Sequence, residues 1–168
     1  MMNRAAYRYI NGYESIVLTH SVQGTSGQQN NYSGIRWYEL RAYTNGYATI
    51  YQQGTYKPDT NYRWMGSIAQ DKVGDIAVGY SFSSNVNYPS IVITGRTPSD
   101  PLGTMEDEVY PIRGTGSQTG DDRWGDYDSM TLDPVDDCTF WYTNEYLTNS
   151  GNYNWKTRIA TIKFSGCQ

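Results

Sequence analysis

The sequence predicts an all-β protein built as an array of repeated antiparallel units. Three observations carry this expectation. The chain repeats itself: Gly54-Thr55 and Arg63-Trp64 return sixty positions later as Gly114-Thr115 and Arg123-Trp124. After a two-residue insertion the match continues at an offset of sixty-two, with Ser67-Ile68 on Ser129-Met130, Asp71 on Asp133 and Ile76–Tyr80 on Cys138–Tyr142. Self-similarity of this kind marks units that cannot each cover their own apolar face. Helical signals, in contrast, are nearly absent, since no window of ~11 residues keeps an apolar stripe at 3.6 spacing free of Gly or Pro. Short alternating runs lie between turn clusters throughout, and 17 Tyr and 5 Trp suit half-buried pleated surfaces.

The second unit reads most clearly, as strands Met65–Asp71, Asp75–Ser83, Ser90–Gly95 and Glu108–Arg113. Asp71-Lys72-Val73-Gly74-Asp75 forms a tight turn, with Gly74 available for a positive φ. Along Asp75–Ser83 the large Ile76, Val78, Tyr80 and Phe82 share one face and the small Ala77, Gly79 and Ser81 the other, as in a sheet stacked between neighbours. Pro111 makes the last strand an edge, because proline cannot donate to a central ladder. The third unit follows as Asp128–Asp133, Cys138–Tyr146 and Thr157–Phe164, with no fourth strand. The first fits as Ala5–Ile10, Ser15–Val22, Gly34–Arg41 and Ala48–Gln53, with Gln23 to Ser33 a polar, Gly-rich, exposed loop.

Composition narrows the function. The 168 residues suit one domain, and 13 basic against 17 acidic side chains give a net charge of −4. Clustered Lys and Arg for a nucleic-acid surface are missing. No apolar run reaches the ~18 to 20 residues that cross a bilayer, and the N-terminus lacks the apolar core of a signal peptide. Taken literally the latter means a cytoplasmic protein; taken with the repeat, it fits a segment of a longer, secreted one.

Four antiparallel strands in ~50 to 60 residues, the outer strand leading into the next inner one, describe a β-propeller blade. The blades fall at about 4–56, 62–116 and 123–168. Asp71-x-x-Gly74-Asp75 resembles the first turn of many propeller repeats but departs from the sialidase Asp-box in its spacing. The segments Tyr62–Ile68, Arg123–Tyr127 and Asp133–Tyr142 resemble the C-terminal part of large, uncharacterised secreted bacterial propeller proteins, across nearly all of the chain. Those relatives are longer. Since closed propellers use ~4 to 8 blades, three imply either missing blades of a longer chain or a homodimer closing a six-bladed ring.

Cys138 opens one strand of the last unit and Cys167 follows its antiparallel neighbour, so a disulfide is expected between them, and with it an oxidising, extracellular compartment. Two cysteines and one His offer no metal-ligand spacing. Asp133, Asp136 and Asp137 sit in one tight turn, which fits self-capping Asp side chains better than a Ca²⁺ site. Asn31-Tyr32-Ser33 matches a glycosylation pattern that a bacterial protein would leave unused.

The connections between units carry the candidate ligand-binding residues. Arg63 and Trp64, then Arg123, Trp124, Asp126, Tyr127 and Asp128, with Arg4 as a degenerate first copy and Arg8 nearby, would gather on one face around a central axis. Guanidinium groups there would bind carboxylates or sulfates, and the Trp side chains would stack on a sugar or pack between blades. The structural alternative pairs each Arg with an acid such as Asp122, Asp126 or Asp128. Other constellations are weaker: Glu14 and Glu39 read as solvated strand residues, and His20 with Ser15 and Ser21 makes no nucleophile-base arrangement. The expected function is a non-catalytic extracellular propeller module that binds a glycan or protein, or scaffolds a larger surface protein. The alternative is a sialidase-like glycoside hydrolase or lyase, with Tyr127 and Asp128 available as nucleophile and acid.

Overall fold

The structure, a computed structural model, describes residues 5–24, 32–42 and 47–168. Arg4 and Asn31 lie outside these, as does most of the connection expected to be an exposed loop. Within them no helix forms, and the strands make three antiparallel sheets. Sheet 1 holds β1 (Ala6–Ile10), β2 (Tyr13–Gln23), β3 (Ser33–Ala42) and β4 (Ala48–Tyr56). Sheet 2 holds β5 (Tyr62–Gln70), β6 (Ile76–Ser83), β7 (Ser90–Arg96) and β8 (Val109–Ile112). Sheet 3 holds β9 (Ser129–Leu132), β10 (Phe140–Tyr146) and β11 (Lys156–Ile162), and no fourth strand. Each is a meander in chain order, and the expected bounds hold to within a few residues. Pro111 does fall in an edge strand, β8.

Sheet 2 is buried on both faces, as the alternation along β6 demands. Toward sheet 1, Ile76, Val78, Tyr80 and Phe82 pack with Ile68 and Val92 against Val17, Ile35 and Trp37. Toward sheet 3, Ala77 and Ala69 join Ile91 and Ile93 against Met130, Phe140 and Tyr142. The small face of β6 has a definite occupant: a Cβ at Gly79 would stand 2.5 Å from the Tyr142 ring. Gly95 likewise leaves room for Phe164, whose ring end would lie 2.4 Å from a Cβ there. Large side chains of one sheet therefore fill hollows left by small residues of the sheet before it.

The sheets also crowd along their first strands. Arg8 on β1 donates to Asp137 at the β9–β10 turn, so sheets 1 and 3 touch across the turn of sheet 2. Lys72 in that intervening turn donates its N–H to the Asp137 carbonyl at 3.1 Å. Farther out, sheets 1 and 2 are linked by polar groups. Gln52 on β4 donates to Glu39 and accepts from Arg96 on β7 at 2.6 Å.

The turns follow from their residues. Gly74 adopts φ 101°, and Asp71 Oδ1 accepts the N–H groups of Val73, Gly74 and Asp75. Asp136 caps the N–H groups of Cys138 and Thr139, while Asp133 takes that of Val135. These carboxylates are committed to the turn or to Arg8, and among the described residues no cluster of three or more His, Cys, Asp or Glu is placed to hold a metal. Glu39 departs from expectation: it is fully buried, held by Arg41 and Gln52, because β3 turns that face toward sheet 2.

Cys138 and Cys167 form the disulfide, with Cα atoms 5.6 Å apart. It ties the segment after β11 to the start of β10, the position a fourth strand would otherwise help hold. Closing a loop of 29 residues corresponds to about 3.5 kcal/mol on the chain-entropy account. Reduction, or Cys138→Ser with Cys167→Ser, is expected to lower the free energy of unfolding in urea by about that amount. An unchanged midpoint would mean that the sheet 2–sheet 3 core alone fixes this end.

Candidate functional site

The repeated Arg-Trp pairs occupy two different environments. Arg63 and Trp64 lie within β5, in register with Phe82 and Ser81 of β6, and a bulge follows between Trp64 and Ser67, where Met65 has φ 50°. In the third unit the equivalent stretch is two residues longer. Gly125, Asp126, Tyr127 and Asp128 intervene, and β9 begins only at Ser129. The insertion converts a bulge into a loop and releases Arg123 and Trp124 from the sheet.

Arg63 is completely buried. Its Nε donates to Glu108 at 2.6 Å and its two terminal nitrogens to Asp59, Glu108 and the Asn61 carbonyl. All five donors of the guanidinium are thereby matched. Tyr80 and Tyr110 donate to the same Glu108, and the Phe82 ring lies 5.2 Å from the guanidinium carbon. Burial alone would lower the pKa of Arg63, but the hydrogen bonds to Asp59 and Glu108 outweigh it and hold it raised. The same contact brings Asp59 down to about 2. Glu108 comes from the unit to which Arg63 belongs and Asp59 from the β4–β5 connection leading into it; neither comes from the next unit.

Arg8 is bound to Asp137, and Arg4 lies outside the described residues. Arg123 is exposed, its side chain paired with Asp126 three residues on. The structure therefore does not bring Arg8, Arg63 and Arg123 together on a shared anion. It brings the tryptophans together instead. The Trp64 and Trp124 rings are tilted 57° with centroids 6.0 Å apart, and Trp124 Nε1 donates to Ser81 Oγ at 2.8 Å. Both are half-buried at the junction of sheets 2 and 3.

Beside this pair opens a cleft of about 200 Å³. Arg123, Trp124 and Asp126 line it from the β8–β9 connection, and Glu145, Tyr153 and Trp155 from the end of β10 and the β10–β11 connection. The two connections are stitched together along its base. Thr119 N donates to the Gly151 carbonyl and Gly151 N to the Ser117 carbonyl, both at 3.0 Å, and Gly125 N donates to Glu145 at 3.1 Å. Tyr153, at φ 53°, bonds Asp121, which raises the phenol pKa. Tyr127 points into solvent beside the cleft.

Asp128 sits under the loop and is buried, and its Oδ2 has no hydrogen-bond partner. Burial first, then the charges of Glu145 and Asp126, push its pKa up to about 8. The site thus favours its protonated form. Glu145 is raised as well, chiefly by burial. Glu145, Tyr153 and Trp155 escape sequence reasoning because they lie outside the repeated segments, and only the aromatic density after Tyr146 hints at them.

Comparison with family models, with curated proteins and with solved structures gave no match. Among the described residues no helix is long and apolar enough to cross a membrane. The disulfide fits an extracellular protein.

Proposed function

We propose that this chain is a non-catalytic, extracellular binding module of β-propeller type, and that the cleft beside Trp124 takes a glycan. The single observation that carries this reading is the convergence of Trp124, Tyr153 and Trp155 with charged rim groups in one open cleft. Aromatic faces offer apolar area to the C–H side of a sugar ring, and the rim groups are positioned for its hydroxyls. The charge balance speaks for a neutral or amino-bearing sugar. Asp121, Asp126 and Glu145 stand against one guanidinium, which Asp126 already engages. An anionic sugar would meet net repulsion there.

The propeller part of the proposal is supported by face-to-face packing of consecutive sheets and by the crowding of their first strands at Arg8 and Asp137. The sialidase-like alternative has less behind it, because its carboxylate clamp needs converging arginines and Arg63 is enclosed by Asp59 and Glu108. A glycan array followed by titration calorimetry tests the reading. Trp155→Ala is expected to weaken binding of a neutral or amino sugar about fivefold, since one aromatic stack contributes on the order of 1 kcal/mol. Binding unchanged by Trp155→Ala, or no sugar bound at all, would remove the cleft from consideration.

A further inference from the structure

We infer that two copies of this chain dock head to tail, the outer face of sheet 1 of one copy on the outer face of sheet 3 of the other. This rests on the stacked-sheet half of the reading above and is independent of its glycan half. One sheet-on-sheet interface occurs twice within the chain, and the two terminal faces are its unmatched halves. In the repeat Tyr142 falls on Tyr80, so the registers Ser81↔Ile91 and Thr143↔Ile159 place Ile159 where Ile91 stands in sheet 2. Ile91 is fully buried against sheet 3, whereas Ile159 is 63% exposed.

At the other end, the outer face of sheet 1 carries one cross-strand row of Tyr7, Ile16, Leu40 and Ile50. Leu18 and Tyr38 lie beside it. Tyr7 and Ile50 are 57% and 55% exposed. The equivalent face of sheet 2 is the one that sheet 1 covers. Apolar faces of this extent mark association surfaces.

Two features select a second copy as the occupant. Side-chain size is exchanged between the faces. Sheet 3 has Trp141 where sheet 2 has Gly79, so it presents a projection in place of a hollow. The facing strand β2 presents Ile16 and Leu18 on its outer face, whereas the corresponding faces of β6 and β10 include the aromatic residues Tyr80 and Tyr142. Charge also matches. Within the chain β2, β6 and β10 run in the same sense, and a partner laid on sheet 3 in that sense brings its His20 and Arg36 to the Glu145 end. It brings its Glu14 to the opposite end, beside Lys163. Such a contact is heterologous, and with three sheets per copy two copies can close a six-sheet ring.

Sedimentation equilibrium tests this with exposed residues, whose replacement leaves the fold intact. The unaltered chain is expected at twice its monomer mass. Ile159→Lys alone, and Tyr7→Lys with Ile50→Lys, should each be monomeric with unchanged circular dichroism. Mixing the two variants should restore a dimer, because one intact head then meets one intact tail. A monomeric unaltered chain overturns the inference, as would be found if the faces were covered by further sheets of a longer polypeptide. Variants that still dimerise, or a mixture that stays monomeric, overturn it equally.

Discussion

Arg63→Ala is expected to destabilise the fold by about 3–5 kcal/mol, the cost of breaking a buried ion pair from one side. The substitution strands Glu108, whose side chain is 10% exposed and also receives Tyr80 and Tyr110. It also leaves a void beside Phe82 and Tyr56, which now flank the guanidinium. Arg63→Lys keeps the charge but cannot supply five donors in a planar fork, so it should fall between Ala and the unaltered chain. Arg123→Ala, at the matching position of the next unit, should leave the urea midpoint where it is, since its partner Asp126 is solvated too. Urea unfolding of the three variants decides the matter. If Arg63→Ala and Arg123→Ala unfold alike, the clamp does not have the structural role assigned to it.

The contrast between these two arginines shows what the sequence carries and what it hides. The strands, the edge at Pro111, the Cys138–Cys167 pairing and the large and small faces of β6 were legible, because each follows from local alternation or from antiparallel neighbours. The fate of Arg63 was not, since Glu108 lies 45 positions away and reaches it only after β6, β7 and the long connection to β8 have folded back. The one available signal was the change of offset from sixty to sixty-two between Trp64 and Ser67. That is where β5 keeps its bulge and the third unit opens into a loop. Glu39 was hidden for a related reason. A charged residue in an alternating strand reads as solvent-facing, and its pairing with the half-buried Arg41 and the buried Gln52 becomes apparent only once sheet 1 lies on sheet 2.

Stability should also fall as pH rises from about 5 to 8, against the behaviour of a protein held by ionised carboxylates. Burial and the neighbouring Asp71 push Asp75 up to about 7, and burial with Glu145 and Asp126 pushes Asp128 to about 8. Asp71, Asp75 and Asp128 each bury a carboxyl oxygen that has no hydrogen-bond partner. Above the unfolded pKa of 3.8 the folded chain therefore binds protons that the unfolded chain has released, and stability declines until both groups have ionised. Even half of the Asp128 displacement corresponds to about 3 kcal/mol, at 1.36 kcal/mol per pH unit. On the acid side the order reverses. The contributions of Asp59, lowered by Arg63, and of Asp136, lowered by the amides of Cys138 and Thr139, disappear as pH falls below about 4. Maximal stability is thus expected near pH 4. Asp128→Asn keeps the shape and removes the ionisation, so it should be more stable than the unaltered chain at pH 8 and flatten the alkaline decline, with Asp75→Asn removing much of the remainder. Unfolding free energies that stay level from pH 5 to 8, or a decline of the same slope in Asp128→Asn, would show that water or loop movement solvates the acid as it ionises.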